Sequence, residues 1–205
     1  RGLGDVYKRQ ILFVACLVMW FLSSYGISDG HFGLVDAGDS ILAKIGGVLR
    51  YIFIPLGFGG AEGGWQAAAA SLSGFSAKEA IVTTMGVLAN VSEELVEDGN
   101  AVGLAVSEWF PTAIAAFSFL LFNLLDSPCL AAIATMKSEL NSRKWFWFAI
   151  LFQNIFAYVV TLIVYQLGML FVHGAFGVGT VFAFIFLAVI LYAVFRKNPY
   201  KEMNV

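Results

Sequence analysis

The stretch "FPTAIAAFSFLLFNLLDSPCLAAIATMKSEL", residues 110 to 140, decides how the chain is read. Its first half is a nearly unbroken apolar run, as a membrane helix is. Asn123, Asp126, Ser127, Pro128 and Cys129 then fall within seven positions. Proline has no N–H and pushes the residue before it out of the helical region. It is also favoured at the first position of a new helix, with Asp or Ser ahead of it as a cap. The sequence therefore predicts that one helix ends near Leu125 and a second begins at once. Ser127 is its expected N-cap, Pro128 its first residue and Cys129 its second.

That geometry bears on chemistry. A helix N-terminus favours anions, so Cys129 is a candidate thiolate ligand. Thiolates are soft donors suited to Fe(II), Zn(II) or Cu(I). Asn123 and Asp126 add oxygens, and an unwound peptide adds carbonyls, as at transporter ion sites. Residue types alone leave two readings open. One is a helix broken to present ligands to a passing cation. The other is a helix-ending turn at the cytoplasmic boundary with a buried cysteine.

The rest of the chain argues for a membrane. Of 205 residues, 60% are hydrophobic and 13% charged. Soluble domains carry roughly 25% charged residues. The net charge of −2 gives nucleic acid no footing, and two cysteines, Cys16 and Cys129, make no disulfide framework. Cys16 lies in an apolar run and reads as a small buried hydrophobe. The polar opening "RGLGDVYKRQ", residues 1–10, is unlike the apolar run after it and is read as a non-native scar. The chain is then expected to be a fragment.

Six apolar segments can be drawn: 11–27, 41–60, 77–91, 109–125, 145–172 and 176–195. The first, fourth, fifth and sixth read as helices. The second holds Lys44, Arg50, Pro55 and five glycines, and the third is short and carries Lys78 and Glu79. Both fit broken or re-entrant helices better than plain spans. The expected fold is an all-α, polytopic transmembrane helical bundle.

Charge sets the expected orientation. Lys137, Arg143 and Lys144 follow the fourth segment, and Arg196, Lys197 and Lys201 follow the sixth. Positive loops stay in the cytoplasm. The fifth and sixth segments then form a hairpin with both ends inside and "HGAFGVG" as its outer turn. The loops holding Asp29, Asp36 and Asp39, and Glu93, Glu94, Glu97, Asp98 and Glu108, lack Lys and Arg and fit the outside. Trp109, Trp145, Trp147, Tyr192 and Tyr200 sit at belt positions, although core packing explains aromatics there as well.

A second polar cluster is "GFSAKEAIVTTMG", residues 74–86. Ser76 and Glu79 have capping-box spacing, which accounts for both locally. It leaves Lys78, Thr83 and Thr84 unexplained. Charged groups at membrane depth pair or line a path. Glu79 and Thr83 lie one turn apart on one helix face, where they could line a cation route.

These two clusters resemble the bacterial ferrous iron transport protein B (FeoB) family. "SGFSAKEAIVTTMGVL" is similar to that family's Gly, Ala-Lys-Glu and β-branched run. The stretch from 116 to 171 is similar to its second gate motif and the helix hairpin after it. Pro128-Cys129, Lys137, Glu139, Lys144-Trp145, Tyr158 and Tyr165-Gln166 match in order and spacing. Asp126-Ser127 departs from what many members carry. The resemblance spans roughly 11–195 and is most specific over 73–170.

The resemblance implies transport of Fe(II) through a bacterial plasma (inner) membrane by a multi-pass protein. Cys129, Glu79, Asn123 and Asp126 would be metal ligands, with Ser127, Pro128, Ser76 and Thr83 as gating or structural residues. It divides the chain into a helix and outer loop over 11–40, a second gate-type membrane domain over 41–172, and a last helix with a cytoplasmic tail over 173–205. The family also implies a cytosolic GTPase domain and a first gate motif with its own cysteine. No G-x-x-x-x-G-K-[ST] occurs in this chain, so GTP would act only through that missing domain. The expected partners are Fe(II), lipid, those missing parts and a homo-oligomer. The chain itself is not expected to be an enzyme.

Two other functions compete. A nucleoside or other solute carrier would share gate motifs of this type. A membrane protease or non-catalytic assembly subunit is the third. The only histidines, His31 and His173, lie in expected outer loops, and H-E-x-x-H is absent, which argues against a protease.

Overall fold

The computed structural model describes residues 2–28, 31–60, 64–74, 78, 80–89, 99–127, 129–140, 142–174 and 176–196. Ser76, Glu79 and Pro128 lie outside the described residues, as do Asp29, Lys197, Lys201 and the acids at 93, 94, 97 and 98.

Nine helices and one hairpin are described, in the order α1 (Gly2–Ser24), β1 (Tyr25–Ser28), β2 (His31–Leu34), α2 (Ile41–Phe53), α3 (Gly64–Ser73), α4 (Ala80–Leu88), α5 (Gly99–Val106), α6 (Ala113–Leu125), α7 (Leu130–Glu139), α8 (Arg143–His173) and α9 (Val178–Phe195). The described residues are all-α apart from the antiparallel pair β1–β2, registered from Tyr25 opposite Leu34 to Ser28 opposite His31.

Helix starts follow side-chain chemistry. The Ser40 hydroxyl accepts from the Ala43 N–H at 3.1 Å and caps α2. The Thr112 hydroxyl accepts from Ala115 N–H at 3.2 Å and caps α6 just after Pro111. These caps answer the free N–H groups of each first turn.

Among the described residues, two helices are long and apolar enough to cross a membrane, α8 with 31 residues and α9 with 18. At 1.5 Å per residue they reach about 46 and 27 Å, against a hydrocarbon core of about 30 Å. They correspond to the fifth and sixth of the apolar segments drawn from the sequence. Helix α6 has 13 residues, roughly 20 Å, because a short 3₁₀ turn at Ser107–Trp109 and Pro111 hold its start back to Ala113. Helix α1 takes in residues 2–10, which the sequence alone marked as a scar: Lys, Arg and Gln are good helix formers, so polarity alone does not stop a helix. It closes at Ser24, where the strand begins.

The second and third apolar segments are short and interrupted, as expected. Helix α2 ends in a 3₁₀ turn at Ile54–Leu56 around Pro55, closed by Gly57 at φ 93°. A side chain at Gly57 would also collide with the Tyr165 ring. Helix α4 has nine residues. The β hairpin, α3 and α5 have no counterpart among the expected segments.

Helix α2 packs on α3, α3 on α4, and α4 on α5. The α2–α3 contact is close because Gly46 meets Trp65 and Ala69, where a Cβ would lie 2.6 Å from the Trp65 carbonyl oxygen. Small residues allow such backbone approach. On the other side α8 packs between α6 and α9. The core joining these parts is aromatic: Phe53 stacks on Phe58 at 5.1 Å and meets Phe122 edge-on at 5.2 Å, while Phe58 meets Phe119 at 5.4 Å.

The carbonyls at the end of α2 find partners on α8. The Tyr158 hydroxyl donates to the Ile52 carbonyl at 2.9 Å, and Gln166 Nε2 donates to the Pro55 carbonyl at 2.9 Å. Outside, α8 and α9 expose Trp147, Phe152, Ile155, Phe182, Val189 and Tyr192. A continuous apolar exterior of this kind is what lipid covers.

Candidate functional site

The chain breaks between α6 and α7, and the break is held from three sides. Asp126 caps α6 in extended geometry (φ −62°, ψ −178°), its N–H donating to the Phe122 carbonyl at 2.8 Å. From α8, Gln153 Nε2 donates to the Asp126 carbonyl at 3.1 Å. The next residue, Asn154, donates from Nδ2 to the Ser127 hydroxyl oxygen at 2.7 Å and to the Ile150 carbonyl at 2.8 Å. Asp126 and Ser127 are buried. Two adjacent amides in the apolar run "ILFQNIF" were a signal that sequence reasoning passed over, since polar groups there must find partners.

The third side is Lys78. Its ammonium donates to the Asn123 carbonyl at 2.8 Å, the Leu124 carbonyl at 3.2 Å and Asp126 Oδ1 at 2.9 Å. Three N–H groups meet three oxygens. A cation at this place also complements the negative end of α6. The sequence showed that Lys78 needed a partner without showing which one. The partner lies 48 residues on, in the polar cluster of 123–129.

The expected helix start shifts. Cys129, in extended geometry (φ −58°, ψ 160°), is the N-cap residue of α7, and Leu130 is its first residue. Ser127 is therefore not the cap, and Cys129 is not the second helical residue. The reason is tertiary: Asn154, from α8, engages the Ser127 hydroxyl, and Cys129 is itself extended. Cys129 is partly exposed, and its thiol makes no capping bond.

Asn123 is buried beside the break. Its Nδ2 donates to the Phe119 carbonyl at 2.7 Å, and its Oδ1 has no hydrogen-bond partner among the described residues. Thr83 is not brought to this place. It is exposed on α4 and, with Ser23, Ser24, Asp36 and Thr84, lines a cavity of about 570 Å³ to which residues 123–129 do not contribute. Among the described residues no three His, Cys, Asp or Glu side chains converge as a metal-binding group. The break offers one thiol, one carboxylate engaged by lysine, and amide and backbone oxygens.

Gln153 lies eight residues past Trp145, about 12 Å along α8.

Two long apolar helices thus stand beside a buried, polar helix break. Comparisons with known proteins place the chain in a family. The family model described as "Gate: Nucleoside recognition" matches residues 10–143, and the chain belongs to this Gate family. Within it, the chain corresponds to the gate region of FeoB proteins. The Fe(2+) transporter FeoB of Staphylococcus aureus (strain MSSA476) is 34% identical over 173 residues, 84% of this chain and 24% of that protein. The FeoB of Methanocaldococcus jannaschii is 32% identical over 166 residues, 77% of this chain and 22% of that protein. That of Campylobacter jejuni is 29% identical over 157 residues, 74% and 25% respectively. The chain thus spans about a quarter of the length of the curated relatives it matches. No solved structure matches.

Proposed function

We propose that this chain is the C-terminal gate region of a ferrous iron transporter, multi-pass in a bacterial plasma membrane, and that the 123–129 break lines the route of Fe(II). The observation that carries the reading is the break itself. Irregular backbone at membrane depth is tolerated only where protein or water covers it, and here polar side chains from α8 and from Lys78 hold it open to neither lipid nor collapse. The names of the relatives supply the ion.

In this reading Cys129 is the soft ligand, and Asn123 contributes oxygen. Asp126 supplies charge beside them through its pair with Lys78. Glu79, adjacent to Lys78 in sequence, is a further ligand, and Ser76 and Pro128 serve as gating or structural residues. Thr83 belongs to the separate cavity that Ser23, Ser24 and Asp36 also line, and acts at another stage of the route. GTP acts through a domain outside this chain, and the chain itself performs no catalysis.

The test is ferrous uptake by cells carrying the complete transporter with Cys129→Ser at matched expression. Serine keeps the size and removes the soft donor, so uptake falls at least about tenfold, the loss of roughly 1.4 kcal/mol of binding. Uptake at the parental rate makes Cys129 structural.

A second reading is carriage of a nucleoside, favoured by the description of the Gate family as one of nucleoside recognition. Competition separates the two: excess nucleoside leaves ferrous uptake unchanged if the first reading holds, and excess Mn(II) or Co(II) reduces it.

A further inference from the structure

The Lys78 ammonium sits in a pocket of oxygens belonging to another segment. Two of them, the carbonyls of Asn123 and Leu124, are end-of-helix acceptors that α6 leaves unpaired. The third is a carboxylate whose side chain is 6% exposed. On Asn123 itself, Oδ1 is a further buried oxygen without a partner among the described residues. Helix C-terminal carbonyls with a carboxylate are the donor set with which transporters hold small cations. Here a lysine fills it.

We propose that this oxygen cradle is a site for a monovalent cation, and that Lys78 is its tethered occupant. The cation concerned is distinct from the transported iron. The donors are all oxygen, which disfavours a soft ion. The ammonium nitrogen stands 2.8, 2.9 and 3.2 Å from its oxygens. That is wider than the about 2.0–2.1 Å of Mg²⁺ or 2.3–2.6 Å of Ca²⁺. One carboxylate balances one positive charge. A large, singly charged ion such as K⁺ meets both conditions. The Lys78 side chain is 38% exposed, so it can swing out of the cradle while a cation enters. Lysine and ion exclude one another, and the site passes between a locked and an ion-filled form without ever leaving the carboxylate bare.

The purified, membrane-inserted chain tests this without iron. Amine acylation read by mass spectrometry is compared in potassium chloride and in choline chloride at equal ionic strength. Lys78 labelling rises several-fold in potassium, while that of exposed Lys137 does not change. Lys78→Met supplies the second arm: its melting temperature rises with potassium and not with choline, and Lys78→Met/Asp126→Asn loses that dependence. A Lys78→Met protein that melts alike in both salts, or that keeps its potassium dependence without the Asp126 carboxylate, overturns the site. Where that variant does not insert, Lys78 labelling indifferent to potassium overturns it.

Discussion

Asn154 and Ser127 touch through a single 2.7 Å hydrogen bond, yet that bond fixes how the chain leaves α6. Ser127→Ala and Asn154→Ala each remove it. In a double-mutant cycle by chemical denaturation in bilayer-mimetic micelles, the pair should couple by about 0.5–1.5 kcal/mol, the range of interhelical side-chain bonds in membranes. Coupling near zero would mean that each side chain finds another partner. Asp126→Asn acts differently. It keeps an oxygen for Lys78 but removes the charge, and Lys78 is open enough to water that the loss is on the order of 1–2 kcal/mol rather than the 3–5 of a fully buried pair. The unfolding midpoint of Asp126→Asn against the parent measures it. Residue by residue, the sequence exposed the cluster at 123–129 because polar types stood out against an apolar run. It did not expose Lys78 as the partner, since pairing over 48 positions depends on how α4 and α6 lie together, which no local pattern encodes.

Among elements, the turn after α2 carries the sharpest constraint. Gly57 stands at φ 93° with the Tyr165 ring against it. Gly57→Ala adds left-handed strain and a clash, and should cost more than about 1 kcal/mol. Tyr165→Ala in the same background relieves the clash and leaves the strain, so denaturation midpoints should recover only in part. Pro55 and the glycines around it made this interruption legible. The same kind of reasoning failed at α3, whose alanines give neither a strong apolar run nor a turn signal, and at α5, a short helix in a stretch read as loop. It placed α8 and α9 within a few residues, because long uninterrupted apolarity is the one signal that needs no tertiary context. The start of α7 moved by two residues because capping was decided by Asn154, from an element distant in sequence.

At the scale of the whole molecule, the basic residues Lys137, Arg143 and Lys144 stand at the entry to α8, and Arg196 follows α9. The hairpin should therefore have both ends in the cytoplasm. Cysteines introduced at 143 and 196 in a background lacking Cys16 and Cys129 should resist an impermeant thiol reagent applied to intact cells, and one at 173 should react. Labelling at 143 and 196 with protection at 173 would invert the topology.

The two bonds from α8 to the end of α2 have a mechanical consequence. Tyr158 and Gln166 grip Ile52 and Pro55 at points eight residues apart, about 12 Å along a single stiff rod. Two anchors at that separation resist rotation as well as sliding of α2 against α8, and Gln153 and Asn154 attach the Asp126 carbonyl and the Ser127 hydroxyl to the same α8. The attachment on the opposite side is a flexible lysine chain. The break is thus tied to the α2–α8 pair by two amides and to the segment before α4 by one long side chain.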